Sequence, residues 1–163
     1  DEDDARWRRP EDDADDEGYE VDSSMQLLQS QLAVKIKLLN MDFKSLRVYE
    51  IGFELAMEIF EISKRFPKEE TYSLTDQIRR SSRSVCVNIA EAYRKRKYEK
   101  YFISKLTDSD AENAETQSWL EFAYACKYID LDVKDKLIKK SHEVGKLLNF
   151  MINNPGRFGV GKA

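Results

Sequence analysis

Between residues 45 and 151, apolar side chains recur at steps of three and four through four successive stretches. That spacing lays one apolar face along a helix, whereas a half-buried strand would alternate with a period of two. Six Gly and three Pro among 163 residues leave too few turn signals to punctuate an all-β chain. The pattern predicts an all-α protein with one core. At this length and 41% apolar content, a second domain of similar size is not expected.

In the first stretch, residues 45–65, Val48, Gly52, Leu55, Ile59 and Ile62 share a face flanked by Tyr49, Phe53, Ala56 and Phe60. It should stop at Phe66-Pro67, because proline disfavours α geometry in the residue before it. Ser73, with Asp76 three residues on, reads as a capping-box variant that opens the second helix. There Leu74, Ile78, Ser81 or Ser82, Val85, Cys86 and Ile89 form a narrow stripe of mostly small residues. Such a stripe lets neighbours approach closely and predicts the central, most buried helix.

A third helix over residues 97–128 would span about 48 Å at 1.5 Å per residue. Tyr98, Phe102, Leu106, Ala114, Leu120, Ala123 and Tyr124 supply its apolar side, and the small and acidic run "TDSDAENAET" allows a break or a tight helix crossing near Ser109. Asp130 or Asp132 opens the fourth helix, from which Val133, Leu137, Ile138, Val144, Leu147, Leu148 and Met151 face inward before "NNPGRFGVGKA" ends it. Four such helices with short connections predict an antiparallel up-and-down four-helix bundle over residues 41–158, followed by a C-terminal tail at 159–163.

Charge divides the chain differently. Residues 1–40 hold 12 acidic and 5 basic residues, and residues 41–163 hold 19 and 22, so a body of net +3 stands behind the overall −4. Residues 1–22 are dense in carboxylates and poor in apolar groups, which predicts an acidic, mostly disordered arm. A sharper reading lays this arm over a basic face, with Trp7 and Tyr19 as anchors, in competition with a polyanion. Residues 23–40 place Met25, Leu28, Leu32, Ile36 and Leu39 on one stripe, an additional amphipathic helix for docking on the body or a partner. Val34, Ile36 and Leu38 also alternate like a short strand.

Catalytic chemistry has little to build on. The single His142 falls on the polar side of the last helix, no Glu-x-x-His motif occurs, and Ser81, Ser82 and Ser84 lack a base at useful spacing. Asp108, Asp110, Glu112 and Glu115 spread around most of a turn, which suits helix capping or pairing with Arg79, Arg80 or Arg83 better than acid–base work. Cys86 and Cys126 have no CxxC partner and read as reduced core residues. No enzyme activity, metal or other cofactor is expected. No apolar run approaches the roughly 18 residues of a membrane span, and no signal-peptide pattern opens the chain, so a cytoplasmic protein without membrane partners is expected.

One feature does suggest a ligand. Residues 72–105 carry nine Lys and Arg against Asp76, Glu91 and Glu99, a net +6. Arg79, Arg80, Arg83, Arg94, Lys95, Arg96, Lys97 and Lys100 are the candidate nucleic-acid contacts, since clustered cations bind phosphates by releasing counterions. Tyr93, Tyr98 and Tyr101 are interleaved with them and would stack bases if exposed. Intramolecular or intersubunit salt bridges and a solvated helix face account for the same charges equally well, so both readings stand at this point.

The segments "FPKEETYSLTDQIRRSS", "VNIAEAY" and "YFISKLTDSDAENAET" resemble the small bacterial proteins encoded in intervening sequences of large-subunit ribosomal RNA genes. That family contains the accessory variability determinant of diversity-generating retroelements. The likeness covers roughly residues 41–158. Ala92 stands where the family usually has Gly, and "SDAEN" at residues 109–113 replaces its usual "GS" step.

The resemblance implies a non-enzymatic four-helix bundle, commonly a homopentameric ring, with a basic surface that associates with nucleic acid. In the retroelement branch it also implies a reverse transcriptase as partner. Arg79, Arg80 and Arg83 match the family's basic segment, and Asn88 and Glu91 match its "NIAE", for which helix-end and interhelix hydrogen bonds imply a structural part. The expected function is an RNA-favoured homo-oligomeric scaffold. Its rival is a protein–protein assembly module that works through the bundle and the N-terminal segment without nucleic acid.

Overall fold

The computed structural model describes residues 23–40 and 42–160. The acidic arm, with Trp7 and Tyr19, lies outside the described residues. Among the described residues, all regular structure is helical: α1 (Ser23–Asn40), α2 (Arg47–Ser63), α3 (Leu74–Arg94), α4 (Glu99–Ala125) and α5 (Leu131–Asn153), with short 3-10 turns at Phe43–Ser45, Lys68–Glu70 and Pro155–Phe158. The chain divides into two units at Val34–Lys35.

The first unit contains most of α1. The stretch at Val34 and Ile36 that also alternates like a strand is helical, and Met25, Leu27, Leu28, Leu32, Val34 and Ile36 are all exposed.

In the second unit α3 packs against both α2 and α4, and α5 packs against α2 and α4. Buried apolar side chains form two clusters. One joins Val48 and Ile51 of α2, Val85 and Ile89 of α3, Phe102 and Leu106 of α4, and Val144, Leu148 and Met151 of α5. The other joins Leu55 and Ile59, Leu74 and Ile78, Leu120 and Ala123, and Leu137. Val160, beyond the last helix, is buried in the first cluster.

Between the clusters in sequence, on three of the helices, lie buried polar residues: Ser81 and Ser82 on α3, Ser109, Asn113 and Thr116 on α4, and Ser141 on α5. Ser109 Oγ donates to the Val85 carbonyl at 2.9 Å, Thr116 Oγ1 to Ser81 Oγ at 2.9 Å, and Ser141 Oγ to Asn113 Oδ1 at 2.7 Å. Asn113 Nδ2 returns a bond to the Ser141 carbonyl at 3.1 Å, and Gln117 Nε2 donates to Ser141 Oγ at 2.8 Å. Each buried group is thereby satisfied, which removes the desolvation penalty an unpaired one would incur.

This layer corrects the expected face of the third helix. Tyr98, Ala114 and Tyr124 are exposed, and Ser109, Asn113 and Thr116 hold the buried positions between Leu106 and Leu120. The helix runs unbroken through Ser109, whose small side chain lets α3 and α4 cross closely.

Two local expectations change as well. Ser73 makes no side-chain cap on α3; its hydroxyl donates to the Glu70 carboxylate, which also accepts from the Leu74 N–H at 3.2 Å. Glu70, from the preceding turn, thus does the work assigned to Ser73 and Asp76. Cys126 is exposed rather than in the core, because it follows the last turn of α4. Cys86 is buried as expected, and burial pushes its thiol pKa up to about 12. At the start of α5, Asp130 Oδ1 accepts from the Val133 N–H at 2.8 Å and caps the helix.

Candidate nucleic-acid interface

A helix rotates about 100° per residue, so Arg79, Arg83 and Arg94 fall on one face of α3, and Arg83 and Arg94 stand about 16 Å apart along it. Arg83 and Arg94 are exposed and Arg79 is half-buried. Arg79 is held by α2: its Nε donates to Ser63 Oγ at 2.7 Å, and its guanidinium lies 4.9 Å from the centre of the Phe60 ring. Arg83 and Lys64 approach the same ring at 5.6 and 4.7 Å. One aromatic ring therefore gathers three cations, of which Lys64 alone pairs with a carboxylate among the described residues, that of Glu61. Sequence reading missed Lys64 and Phe60, since their link to Arg79 and Arg83 crosses from α2 to α3.

Arg80 points elsewhere. Its charge acts on Glu112 of α4, where burial raises the carboxyl pKa, the neighbouring Glu115 raises it further and Arg80 opposes them. The carboxylates of α4 do not form ion pairs with the α3 arginines as expected. Asp108 pairs with Lys105 at 3.5 Å, and Glu115 accepts from Trp119 Nε1 at 3.0 Å.

The second basic group surrounds the turn from α3 to α4. Arg94 lies 5.8 Å from the Phe43 ring, Lys95 5.9 Å from Tyr101, and Lys97 5.9 Å from Tyr98. Lys100 is exposed on the first turn of α4. Tyr98 and Tyr101 are 59% and 60% exposed, whereas Tyr93 is buried and cannot stack a base. Arg96 turns inward: it lies 4.1 Å from the Tyr93 ring and donates to the Tyr93 carbonyl at 2.7 Å, tying off the end of α3. Gly159, at φ +74°, passes beside its guanidinium. Arg96 is thus built into the fold, unlike its neighbours.

Asn88 and Glu91 converge on Lys105 of α4. Lys105 Nζ is 3.0 Å from Glu91 and 3.5 Å from Asn88 Oδ1, and the hydrogen bond it donates to Glu91 raises the lysine pKa. Other lysines pair with carboxylates across the helices. Lys136 and Lys140 of α5 hold Glu58 of α2 at 2.7 and 2.6 Å. Burial alone would raise the Glu58 pKa, but these two partners outweigh it and lower it. Lys134 likewise meets Glu121, at 3.2 Å. None of the eight sequence-predicted cations makes an ion pair with a described residue.

Ser82 donates to the Ile78 carbonyl at 2.7 Å, and Ser81, also buried, accepts from Thr116. His142 is exposed, and no cluster of three potential metal ligands exists among the described residues. No described helix is long and apolar enough to cross a membrane.

Among the described residues the chain is all-helical, and its α3 arginines and the cations of the α3–α4 turn make no ion pair. Residues 44–150 match the family of 23S rRNA-intervening sequence proteins, and the chain belongs to that family. It is similar to a crystal structure of a protein of unknown function from the S23 ribosomal protein family of Bacteroides thetaiotaomicron. The two share 31% sequence identity with a TM-score of 0.60, over 65% of this chain and 95% of that one. No functionally curated protein matches it.

Proposed function

We propose that this chain is a non-enzymatic scaffold that associates with RNA through the solvent-facing cations of α3 and the α3–α4 turn. The observation that carries the reading is the separation of charges. Lys105, Lys134, Lys136 and Lys140 are committed to carboxylates, while Arg79, Arg83, Arg94, Lys95, Lys97 and Lys100 have no carboxylate partner among the described residues. Cations already neutralised by carboxylates release few counterions on meeting a phosphate, and unpaired ones release many. Membership of a family named for an rRNA intervening sequence supports RNA as the polyanion.

The four helices α2 to α5 form an antiparallel up-and-down bundle in this reading, consistent with the order in which each contributes to the two apolar clusters. Bundles assemble into a homo-oligomer, with a pentamer favoured by the family resemblance. A ring of copies would turn a modest basic face into a high-avidity surface. The same resemblance supports a reverse transcriptase as a protein partner.

Binding of a structured RNA at low salt tests the reading. Changing Lys95 and Lys97 to Ala should remove much of the affinity, while changing the paired Lys134 and Lys136 to Ala, an equal loss of charge, should leave it nearly intact. Equal losses in the two variants would show that only net charge matters.

The rival, a protein-assembly module, is favoured by one observation: the exposed apolar side chains of α1. Removal of residues 1–40 that eliminates a protein complex but spares RNA binding would assign that segment to assembly.

A further inference from the structure

Resting on the phosphate-binding reading above, we infer that the α3–α4 turn is a stacking platform for unpaired bases, so that the RNA taken there is a single-stranded segment rather than a closed duplex. Tyr98 and Tyr101 carry the inference. Both are well over half exposed, at the N-terminal end of α4, a rigid element. Their ring centroids are 6.1 Å apart with planes at 80°, an edge-to-face pair. Two rings set this way leave flat faces open to a third aromatic group, which a parallel stack would partly cover.

Each ring has its own cation over one face, Lys97 over Tyr98 and Lys95 over Tyr101, both 5.9 Å from the ring centre, so the base is assigned to the opposite face. Arg94 and Lys100 flank them in sequence, and Glu99 is the one carboxylate within residues 94–101. A base laid on a tyrosine face brings its own phosphates toward the neighbouring ammonium groups. The turn therefore offers both halves of a single-strand site, a π-face for the base and positive charge for the backbone. A paired duplex can use only the second half, because its bases are stacked on each other and closed to an inserted ring. Arg79, Arg83 and Lys64 around the half-buried Phe60 lack an exposed ring of this kind, so phosphate contact without base stacking is assigned to that group.

The test uses the full chain with two probes of equal phosphate number, an unstructured single-stranded RNA and a fully paired RNA duplex, each titrated over a salt series. Tyr98→Ala with Tyr101→Ala should weaken single-strand binding by about 10-fold or more with an unchanged salt slope, and duplex binding by less than about 2-fold. Tyr98→Phe with Tyr101→Phe should restore the loss, because stacking needs the ring and not the hydroxyl. Lys95→Ala with Lys97→Ala should instead flatten the single-strand slope, by about 1.4 if both contact phosphate.

Equal effects of the tyrosine pair on both probes, or none on either, overturn the inference while leaving the phosphate surface standing. A changed oligomeric state with RNA affinity untouched overturns it in favour of a protein contact. Failure of the unaltered chain to bind either probe overturns both this inference and the reading on which it rests.

Discussion

Asn113→Ala should destabilise the fold by about 3 kcal/mol, as much as many apolar core truncations, although the residue removed is polar. The magnitude follows from its surroundings. Asn113 is 2% exposed and exchanges two hydrogen bonds with Ser141, at 3.1 and 2.7 Å. A buried hydrogen bond is worth about 1 kcal/mol net, and the space left by the amide adds about 1 more. Ser141 Oγ retains the Gln117 donor, so its penalty for losing Asn113 is partial. For a body of this size the change should lower Tm by about 10 °C in thermal unfolding. Ser141→Ala alone and the double variant complete the cycle, with a coupling of about 1–2 kcal/mol expected between the two sites. A cost for Asn113→Ala below about 0.5 kcal/mol, or strictly additive single changes, would refute the view that these polar bonds fix how α4 and α5 meet.

Other perturbations separate the parts played by similar residues. Arg96→Ala should cost about 1 kcal/mol of stability through the lost bond to the Tyr93 carbonyl, yet leave the salt dependence of RNA binding unchanged, whereas Arg83→Ala should do the reverse. A thiol reagent near neutral pH should label the exposed Cys126 quickly and the buried Cys86 only on unfolding, giving one equivalent with native protein and two with denaturant. Glu58 and Glu112 should leave opposite marks on acid stability. The folded pKa of Glu58 is lowered, so its contribution is present above the ordinary glutamate value and lost as pH falls through that lowered pKa. The folded pKa of Glu112 is raised, so its penalty applies above that range and is relieved on protonation. Accordingly, Glu112→Gln should raise Tm at neutral pH and have little effect at low pH, and Glu58→Gln should lower it at neutral pH, both followed by thermal unfolding across a pH series.

Much of the fold could be read from periodicity because the apolar groups that face inward also recur at helical spacing. Asp130 marked a helix boundary through chemistry local to the chain, whereas α2 ends at Ser63, ahead of the expected stop at Phe66-Pro67. The polar layer escaped that reading for a physical reason. Leu106, Ser109, Asn113, Thr116, Leu120 and Ala123 continue one spacing of three and four, but a count of apolar residues skips its middle and substitutes Ala114 and Tyr124. Hydrogen bonds to partners 24 to 35 residues away make those polar positions interior, and sequence-local patterns cannot register them.

The candidate interface was legible in the same uneven way. Charge density picked out residues 79–100, but not that Arg96 folds back on Tyr93, that Tyr93 is buried while Tyr98 and Tyr101 are open, or that Phe60 draws Lys64 to the two arginines. Those distinctions depend on which side of a helix meets a neighbour. Capping gives a smaller instance. Ser73 had the right type and spacing, but Glu70 reached the α3 N-terminus first from the preceding turn.

The most direct test of the phosphate-binding surface is the slope of log affinity against log salt for one single-stranded RNA, measured for the unaltered chain and for Arg79, Arg83, Arg94, Lys95, Lys97 and Lys100 changed singly to Ala. Each cation that contacts a phosphate should reduce the magnitude of the slope by about 0.7 when removed. Slopes unchanged across all six variants would place the RNA, if any binds, on another face and contradict the account.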